Sequence, residues 1–293
     1  MASLRAFFSG LIDYAGLFPP AKLDMSAAVR AYAEQCAGPD RDLLGRIVVP
    51  SHRLADFSEA AAPFLSGDSD PWKVSVIVGD DIDTAREEID RFNADNDSLA
   101  ICDTVEMRVS SYDEVARAIA RFSEPFSLFL EPNPHADPTV VLREIATTSA
   151  SAKLRTGGVT PDAIPHPDHV LRFIQTCVDE GIPLKATAGL HHAIRGVYPL
   201  TYEPGAPTAM MYGYLNIFLA AAYCAAGTSP SAVLGVIEET DASSFEVDDR
   251  GVWWEDHLVN HEELAVVRRA IATSFGSCSF TEPVSEARNL GLV

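Results

Sequence analysis

Only four lysines occur in this 293-residue chain, at positions 22, 73, 153 and 185, and two of them interrupt short apolar runs. Lys153 stands in Ala152-Lys-Leu-Arg-Thr-Gly157, and Lys185 in Leu184-Lys-Ala-Thr-Ala-Gly189. Lysine normally sits on exposed helix faces, so a lysine inside a strand-like run needs a partner or a task. Two carboxylates stand in similar settings, Glu106 in Thr104-Val-Glu-Met-Arg-Val109 and Glu131 at the end of Ser127-Leu-Phe-Leu-Glu131. Successive strand side chains point to opposite faces. Lys153 therefore shares a face with Arg155, Lys185 with Thr187, and Glu106 with Arg108. One reading is a structural network in which the lysines close salt bridges with Glu106 and Glu131. The other is amine chemistry. A lysine is a nucleophile only when neutral, and a second cation plus partial desolvation favours that form. Lys153 and Lys185 on adjacent parallel strands, about 4.8 Å apart, would supply this coupling. Glu106 would then shuttle protons to a carbinolamine or enamine through a water.

These residues need a scaffold that brings strand ends together. Strand-like runs fall near 11–18, 46–50, 73–78, 104–109, 126–131, 152–156 and 183–187. Segments with helical periodicity lie between them, near 26–36, 54–65, 83–92, 112–122, 139–148 and 168–180. Strands alternating with helices predict a parallel sheet, and seven such strands before residue 190 predict an α/β fold of the (β/α)8 TIM-barrel type. About 250 residues is typical of one such barrel, so the chain reads as a single domain, residues 1–293. After Thr187 the rhythm breaks. A Gly/Pro/Tyr-rich loop, an apolar helix at 209–226 and a hairpin around Asp248–Gly251 predict an insertion at about 196–270, between strands seven and eight. A helix near 262–273 and an eighth strand at 275–280 complete the expected barrel. Charged residues near strand C-termini lie where such barrels build active sites. No Gly-x-Gly-x-x-Gly follows any strand, and no cofactor is expected.

With 42 Asp and Glu against 22 Lys and Arg, the net charge is -20, which argues against nucleic acid or an anionic membrane as partner. The charge reads as a solvated surface, of a kind that suits a high-salt cytoplasm, although a GC-rich genome alone favours Arg over Lys. Five cysteines at 36, 102, 177, 224 and 278 show no framework spacing, as expected of a reduced, cytoplasmic protein. The amino-terminal segment makes a poor signal peptide. The run at 209–226 barely reaches spanning length and reads as a buried or interface helix. With Trp253 and Trp254 it offers apolar area for a homo-oligomer interface.

The strand motifs, in chain order, resemble those of the deoxyribose-phosphate aldolase family of class I aldolases. Leu11–Pro20 is similar to the opening strand and Arg46-Ile-Val-Val-Pro-Ser51 to the second. Lys73–Gly79 resembles the third, Asp103–Val109 the acid-bearing fourth, and Leu128–Pro132 the fifth. Lys153-Leu-Arg-Thr-Gly157 resembles the Schiff-base lysine strand and Lys185-Ala-Thr-Ala-Gly189 the lysine strand that follows it. Phe275-Gly-Ser-Cys-Ser279 is similar to the family's Gly/Ser-rich eighth strand. The resemblance covers roughly residues 10–195 and 275–280. It implies a lyase that acts on a small anionic carbonyl compound, with Lys153, Lys185 and Glu106 catalytic. It further implies that Gly276, Ser277 and Ser279 help hold a phosphate. This chain differs in three places. Arg155 replaces a small polar residue and suits a carboxylate or phosphate held in bidentate fashion. Glu106 replaces an aspartate, and Gly79-Asp-Asp stands where the family has Phe-Pro-x-Gly.

Further candidates border the expected mouth. They are Asp13 at the end of strand one, Thr187, Arg108 and Glu131 on the inner face, and His191 beside His192 after strand seven. Asp13 reads equally as functional or as a loop cap. The two histidines leave open a metal-assisted barrel lyase, although adjacent side chains diverge on an extended chain. A non-catalytic barrel that binds small anions is the remaining alternative. His166 and His169 form a weak metal motif, with Asp168 as the expected helix cap. Cys278 reads as a buried small residue of strand eight.

Overall fold

Short runs rich in Val, Ile, Leu and Ala, bounded by Gly, Pro and Asp, form eight parallel strands that close on themselves. They are β1 (Ile12–Tyr14), β2 (Leu44–Pro50), β3 (Trp72–Val78), β4 (Ala100–Arg108), β5 (Ser127–Glu131), β6 (Ser151–Arg155), β7 (Leu184–Thr187) and, after a long excursion, β13 (Ala272–Ser277). The barrel order is β1-β13-β7-β6-β5-β4-β3-β2. This computed structural model describes residues 4–67, 70–96 and 98–293. The start of the amino-terminal segment, residues 1–3, lies outside the described residues. The α/β barrel expected from the strand–helix rhythm is the fold, and the extra segment lies between its seventh and eighth strands.

The helices between strands are α2 (Met25–Cys36), α3 (Leu54–Ala61), α4 (Ile82–Asp95), α5 (Tyr112–Phe122), α6 (Thr139–Ala146) and α7 (Pro167–Asp179). A short α1 (Arg5–Phe8) precedes β1. Asp24, Asp81 and Ser111 cap α2, α4 and α5, each accepting a backbone N–H of the first turn. The cap of α7 differs from expectation. His166, not Asp168, holds the N-cap position, because Pro167 at the first helical position starts the helix one residue earlier. Asp168 lies in the first turn, 3.2 Å from the His166 ring. The first strand is also shorter than expected. The chain leaves the ladder after Tyr14, and Pro19 and Pro20 have no N–H with which to continue one. The eighth strand ends at Ser277, where the chain turns into α11 (Thr281–Asn289).

The excursion between β7 and β13 contains a hairpin, β8 (Gly196–Pro199) with β9 (Thr208–Met211), then α8 (Tyr214–Ala225) and α9 (Pro230–Glu238). An antiparallel sheet of β10 (Phe245–Val247), β11 (Gly251–Trp254) and β12 (His257–Asn260) follows, and α10 (His261–Ala270) leads into β13. The β10–β11 turn is the hairpin expected around Asp248–Gly251. The apolar helix is shorter than the 209–226 run, whose first residues pair with β8. Every residue from Tyr214 to Tyr223 is buried. Its neighbours are α7, α9, α10, β12 and β13, all within the chain, and Trp254 is likewise buried. The helix and Trp254 are thus covered within the chain, while Trp253 is only partly buried. Among the described residues no helix is long and apolar enough to cross a membrane.

One polar side chain ties the excursion together. Asn216, fully buried in α8, accepts the Arg195 N–H at 2.8 Å and donates to the carbonyls of Val236 and Glu239, each at 2.8 Å. Asn216→Leu would strand one donor and two acceptors without creating a cavity. A loss of about 3 kcal/mol or more is expected in chemical denaturation, each unmet buried group costing about 1–3 kcal/mol.

Candidate active site

Strand register brings the inner-face charges together. Lys153 and Lys185 are directly paired on β6 and β7, and Arg155 pairs with Thr187 one pleat further on. Leu154, on the opposite face, lies beside Val170 and Phe173 of α7, so the alternation sends Lys153 and Arg155 into the barrel. Glu106 on β4 bridges the two ammonium groups. Its Oε2 lies 2.7 Å from Lys153 Nζ, and its Oε1 meets Lys185 Nζ in a short contact. Lys185 also contacts Asp13 Oδ2 at 2.6 Å, and Lys153 contacts Glu131 Oε2 at 2.9 Å. Arg155 Nε donates to Glu131 Oε1 at 2.6 Å, while Arg108 Nε lies 3.5 Å from the same oxygen. The side chains of Asp13, Glu106, Glu131, Lys153 and Lys185 are all at most 4% exposed.

Two corrections follow. Asp13 is neither at the rim nor a loop cap, since it is the central residue of β1 and fully buried. Its Oδ2 accepts from Ser274 and its Oδ1 from the Arg46 N–H. Gly45 is required here, because a Cβ would collide with that carboxylate. Ser279 does not reach the barrel mouth. Its hydroxyl accepts the Glu282 N–H at the start of α11, because the strand has already ended. Arg108 points as expected, yet its side chain is 77% exposed and overhangs the rim.

Sequence reasoning overlooked Ser75 and Ser274. Ser75 Oγ donates to Glu106 Oε1 at 2.5 Å, and Ser274 pairs with Lys185 in register as well as binding Asp13. A hydroxyl on the inward parity of an apolar strand was the available signal, since buried polar groups require partners.

Burial alone would raise the Glu106 carboxyl. The charges of Lys153 and Lys185, with hydrogen bonds from both, override that and hold it well below the usual carboxylate range. Glu131 is lowered in the same sense, with burial opposed by Lys153 and Arg155. Burial works against the Lys185 ammonium, but Asp13 and Glu106 outweigh it and raise its pKa. Lys185 therefore stays charged throughout the neutral range.

Glu106, Lys153 and Lys185 form the floor of a cavity of about 290 Å³ at the C-terminal end of the barrel, which Thr187 and Gly276 also line. Phe18 and Pro20 from the loop after β1, and Leu200 and Met211 from the hairpin, wall its upper part. The β7 end opens through Ala188 and Gly189, both with positive φ, and Gly189 packs backbone to backbone against Gly157. His191 lines the cavity and lies 3.4 Å from Ser277 Oγ. His192 turns away to Glu286 at 2.6 Å and stacks on Tyr198. The histidines thus diverge, and among the described residues no three His, Cys, Asp or Glu side chains gather to hold a metal. Cys278 is buried, which pushes its thiol up and keeps it protonated. The chain matches no protein-family model, no curated protein and no solved structure.

His191 carries a pH dependence. Burial, and secondarily His192, lower it to about 4, so it folds neutral. An unfolded histidine titrates near 6.5, so the unfolded state binds more protons between those values and stability rises with pH across that window. Acidification from pH 7 to 4 should cost up to about 3 kcal/mol through this residue. Denaturant titrations of wild type and His191→Phe should differ in slope across that window. Parallel pH profiles would show that the ring is not buried neutral.

Proposed function

We propose that the chain is a class I, Schiff-base-forming aldolase or lyase acting on a small anionic carbonyl compound. One observation carries this reading. Two lysines stand in register on neighbouring strands, with a carboxylate bridging them, on the floor of a cavity at the catalytic end of a barrel. The order of Glu106, Lys153 and Lys185 along the strands also follows the resemblance to the deoxyribose-phosphate aldolase family.

Lys153 is the nucleophile. Its Nζ loses a proton to water, relayed by Glu106 Oε2, whose lowered pKa keeps it from retaining the proton, and the free amine adds to the substrate carbonyl carbon to form a carbinolamine. Protonation of the carbinolamine hydroxyl expels water and leaves a cationic iminium. In the cleavage direction, a base takes the proton of the β-hydroxyl. The carbon–carbon bond then breaks, an aldehyde departs, and the bonding pair enters the iminium as an enamine. Protonation of the enamine carbon and addition of water release the second product and restore the amine. Glu106, touching both lysine nitrogens, is placed to carry these protons. Lys185, held charged by Asp13 and Glu106, keeps a fixed positive charge beside the reacting nitrogen.

Borohydride added during incubation with carbonyl compounds should fix a mass adduct on Lys153, located by peptide mapping. Lys153→Leu should abolish both adduct and turnover, because Lys185, the other lysine lining the cavity, is held charged and is a poor nucleophile. Lys185→Met should lower turnover by about tenfold or more while leaving the Lys153 adduct trappable, because the fixed cation beside the reacting nitrogen is lost. An active wild-type enzyme that yields no adduct at Lys153 would end this reading.

A further inference from the structure

We infer that the carbonyl substrate is a short 2-oxo acid, whose single carboxylate is held by Arg155 and Arg108 at the β4–β6 side of the mouth. This inference rests on the Schiff-base reading and specifies its substrate.

The position of the cations is the first support. Among the described residues that line the cavity, the arginines and lysines are Arg108, Lys153, Arg155 and Lys185. Lys153 and Lys185 lie on the floor between buried carboxylates, which leaves the two guanidinium groups to meet an anion entering from above. Arg155 uses its Nε on Glu131 and only a long contact, 3.4 Å, from its Nη1 to the Gly157 carbonyl. Arg108 makes no hydrogen bond to any described residue through its terminal nitrogens. The rest of the lining is unsuited to an anion. It is largely apolar, with Phe18, Pro20, Leu200 and Met211, and its histidine, His191, is neutral at pH 7.

Charge balance is the second support. Asp13, Glu106 and Glu131 supply three negative charges, and Lys153, Lys185, Arg155 and Arg108 supply four positive ones. An iminium at Lys153 keeps that nitrogen cationic, so the count persists through the covalent stage. One negative charge neutralises the cluster. A carboxylate meets that requirement, whereas a phosphate dianion would leave a surplus charge in a partly enclosed cavity.

Reach is the third. Lys153 Nζ and Arg155 Nε sit on the two oxygens of one carboxylate, at 2.9 and 2.6 Å. The amine and the guanidinium therefore lie within roughly 8 Å of each other, with hydrogen-bond reach taking up about 2.8 Å of that span. What remains fits a carbonyl carbon directly bonded to a carboxylate.

Pyruvate, acetaldehyde and dihydroxyacetone phosphate serve as probes, each titrated against wild-type protein with borohydride and read by intact mass and peptide mapping. Pyruvate should half-label Lys153 at a concentration at least tenfold below that of either other probe. The pyruvate-to-acetaldehyde preference should fall at least tenfold in Arg155→Ala and at least threefold in Arg108→Ala. The second variant keeps the test decisive if the first does not fold, because the Arg108 side chain is largely exposed. Labelling of Lys153 by acetaldehyde or dihydroxyacetone phosphate as readily as by pyruvate would overturn the 2-oxo-acid inference and leave Schiff-base chemistry standing. A preference that survives in every folded arginine variant would do the same. Absence of any adduct from all three probes would defeat the Schiff-base reading, and the substrate inference with it.

Discussion

The bridge that Glu106 makes between Lys153 and Lys185 governs the interior of this barrel. An ion taken out of water costs several kcal/mol even after relaxation, and mutual attraction repays this only when the remaining lone pairs and protons are also met. Here they are met oxygen by oxygen. Lys185 and Ser75 share Glu106 Oε1, and Lys153 takes Oε2. Ser274, Lys185 and the Arg46 N–H satisfy Asp13, while Lys153, Arg155 and Arg108 surround Glu131. Removing a buried member leaves its partners' charges less fully compensated. The charged identities on five different strands are therefore mutually dependent, although few of these residues are near each other in sequence.

That dependence places demands on the scaffold. Asp13 reaches Lys185 only because β1 enters the barrel beside β13, which pairs with β7. The eighth strand must close the barrel after an excursion of more than eighty residues, so the excursion has to be anchored. Tyr214 of α8 stacks on Phe275 of β13 at 5.1 Å, and its hydroxyl donates to the Pro283 carbonyl of α11. Arg268, at the end of α10, donates to the carbonyls of Phe7, Ser9, Ala272 and Thr273, joining the amino-terminal segment to the strand that closes the ring. The same excursion sends Leu200 and Met211 over the mouth, so the element that lengthens the chain also walls the cavity.

Much of this was legible from period and parity. The strand rhythm up to Thr187 gave the barrel, and the alternation in Lys-Leu-Arg and Lys-Ala-Thr correctly put Lys153, Arg155, Lys185 and Thr187 on one face. The misreadings have local causes. Asp13 looked like a strand end because Ile-Asp-Tyr is followed by Gly16 and a proline pair. A three-residue strand buried on both faces carries no periodicity from which to centre it. The run at 209–226 is apolar on both sides of the β9–α8 boundary, so composition could not separate the β9 residues from the helix proper. The boundary is set by pairing with β8, a tertiary contact. Ser279 followed a Gly/Ser-rich motif whose strand ends two residues earlier, and that ending depends on where α11 begins. Ser75 and Ser274 were readable in principle, but only once the strands were ordered in space, since a lone serine names no partner.

The ion network and the cavity also bear on each other. A cluster serving stability alone gains from complete enclosure, because every neighbouring water weakens the attraction among its members. Here Lys153, Glu106 and Lys185 instead border an open space of about 290 Å³, with an apolar upper wall and two guanidinium groups at its edge. The lower members are saturated: Lys185 has Asp13 and Glu106, and Glu106 has both lysines and Ser75. The upper members are engaged less completely, Arg155 through one edge and Arg108 through a single 3.5 Å contact. Saturation therefore decreases from the barrel centre toward the mouth. An arriving anion would replace only the loosest contacts while the buried bridge stays whole. A network graded in this way can exchange partners at one end without losing the charge pairing that keeps the other end folded.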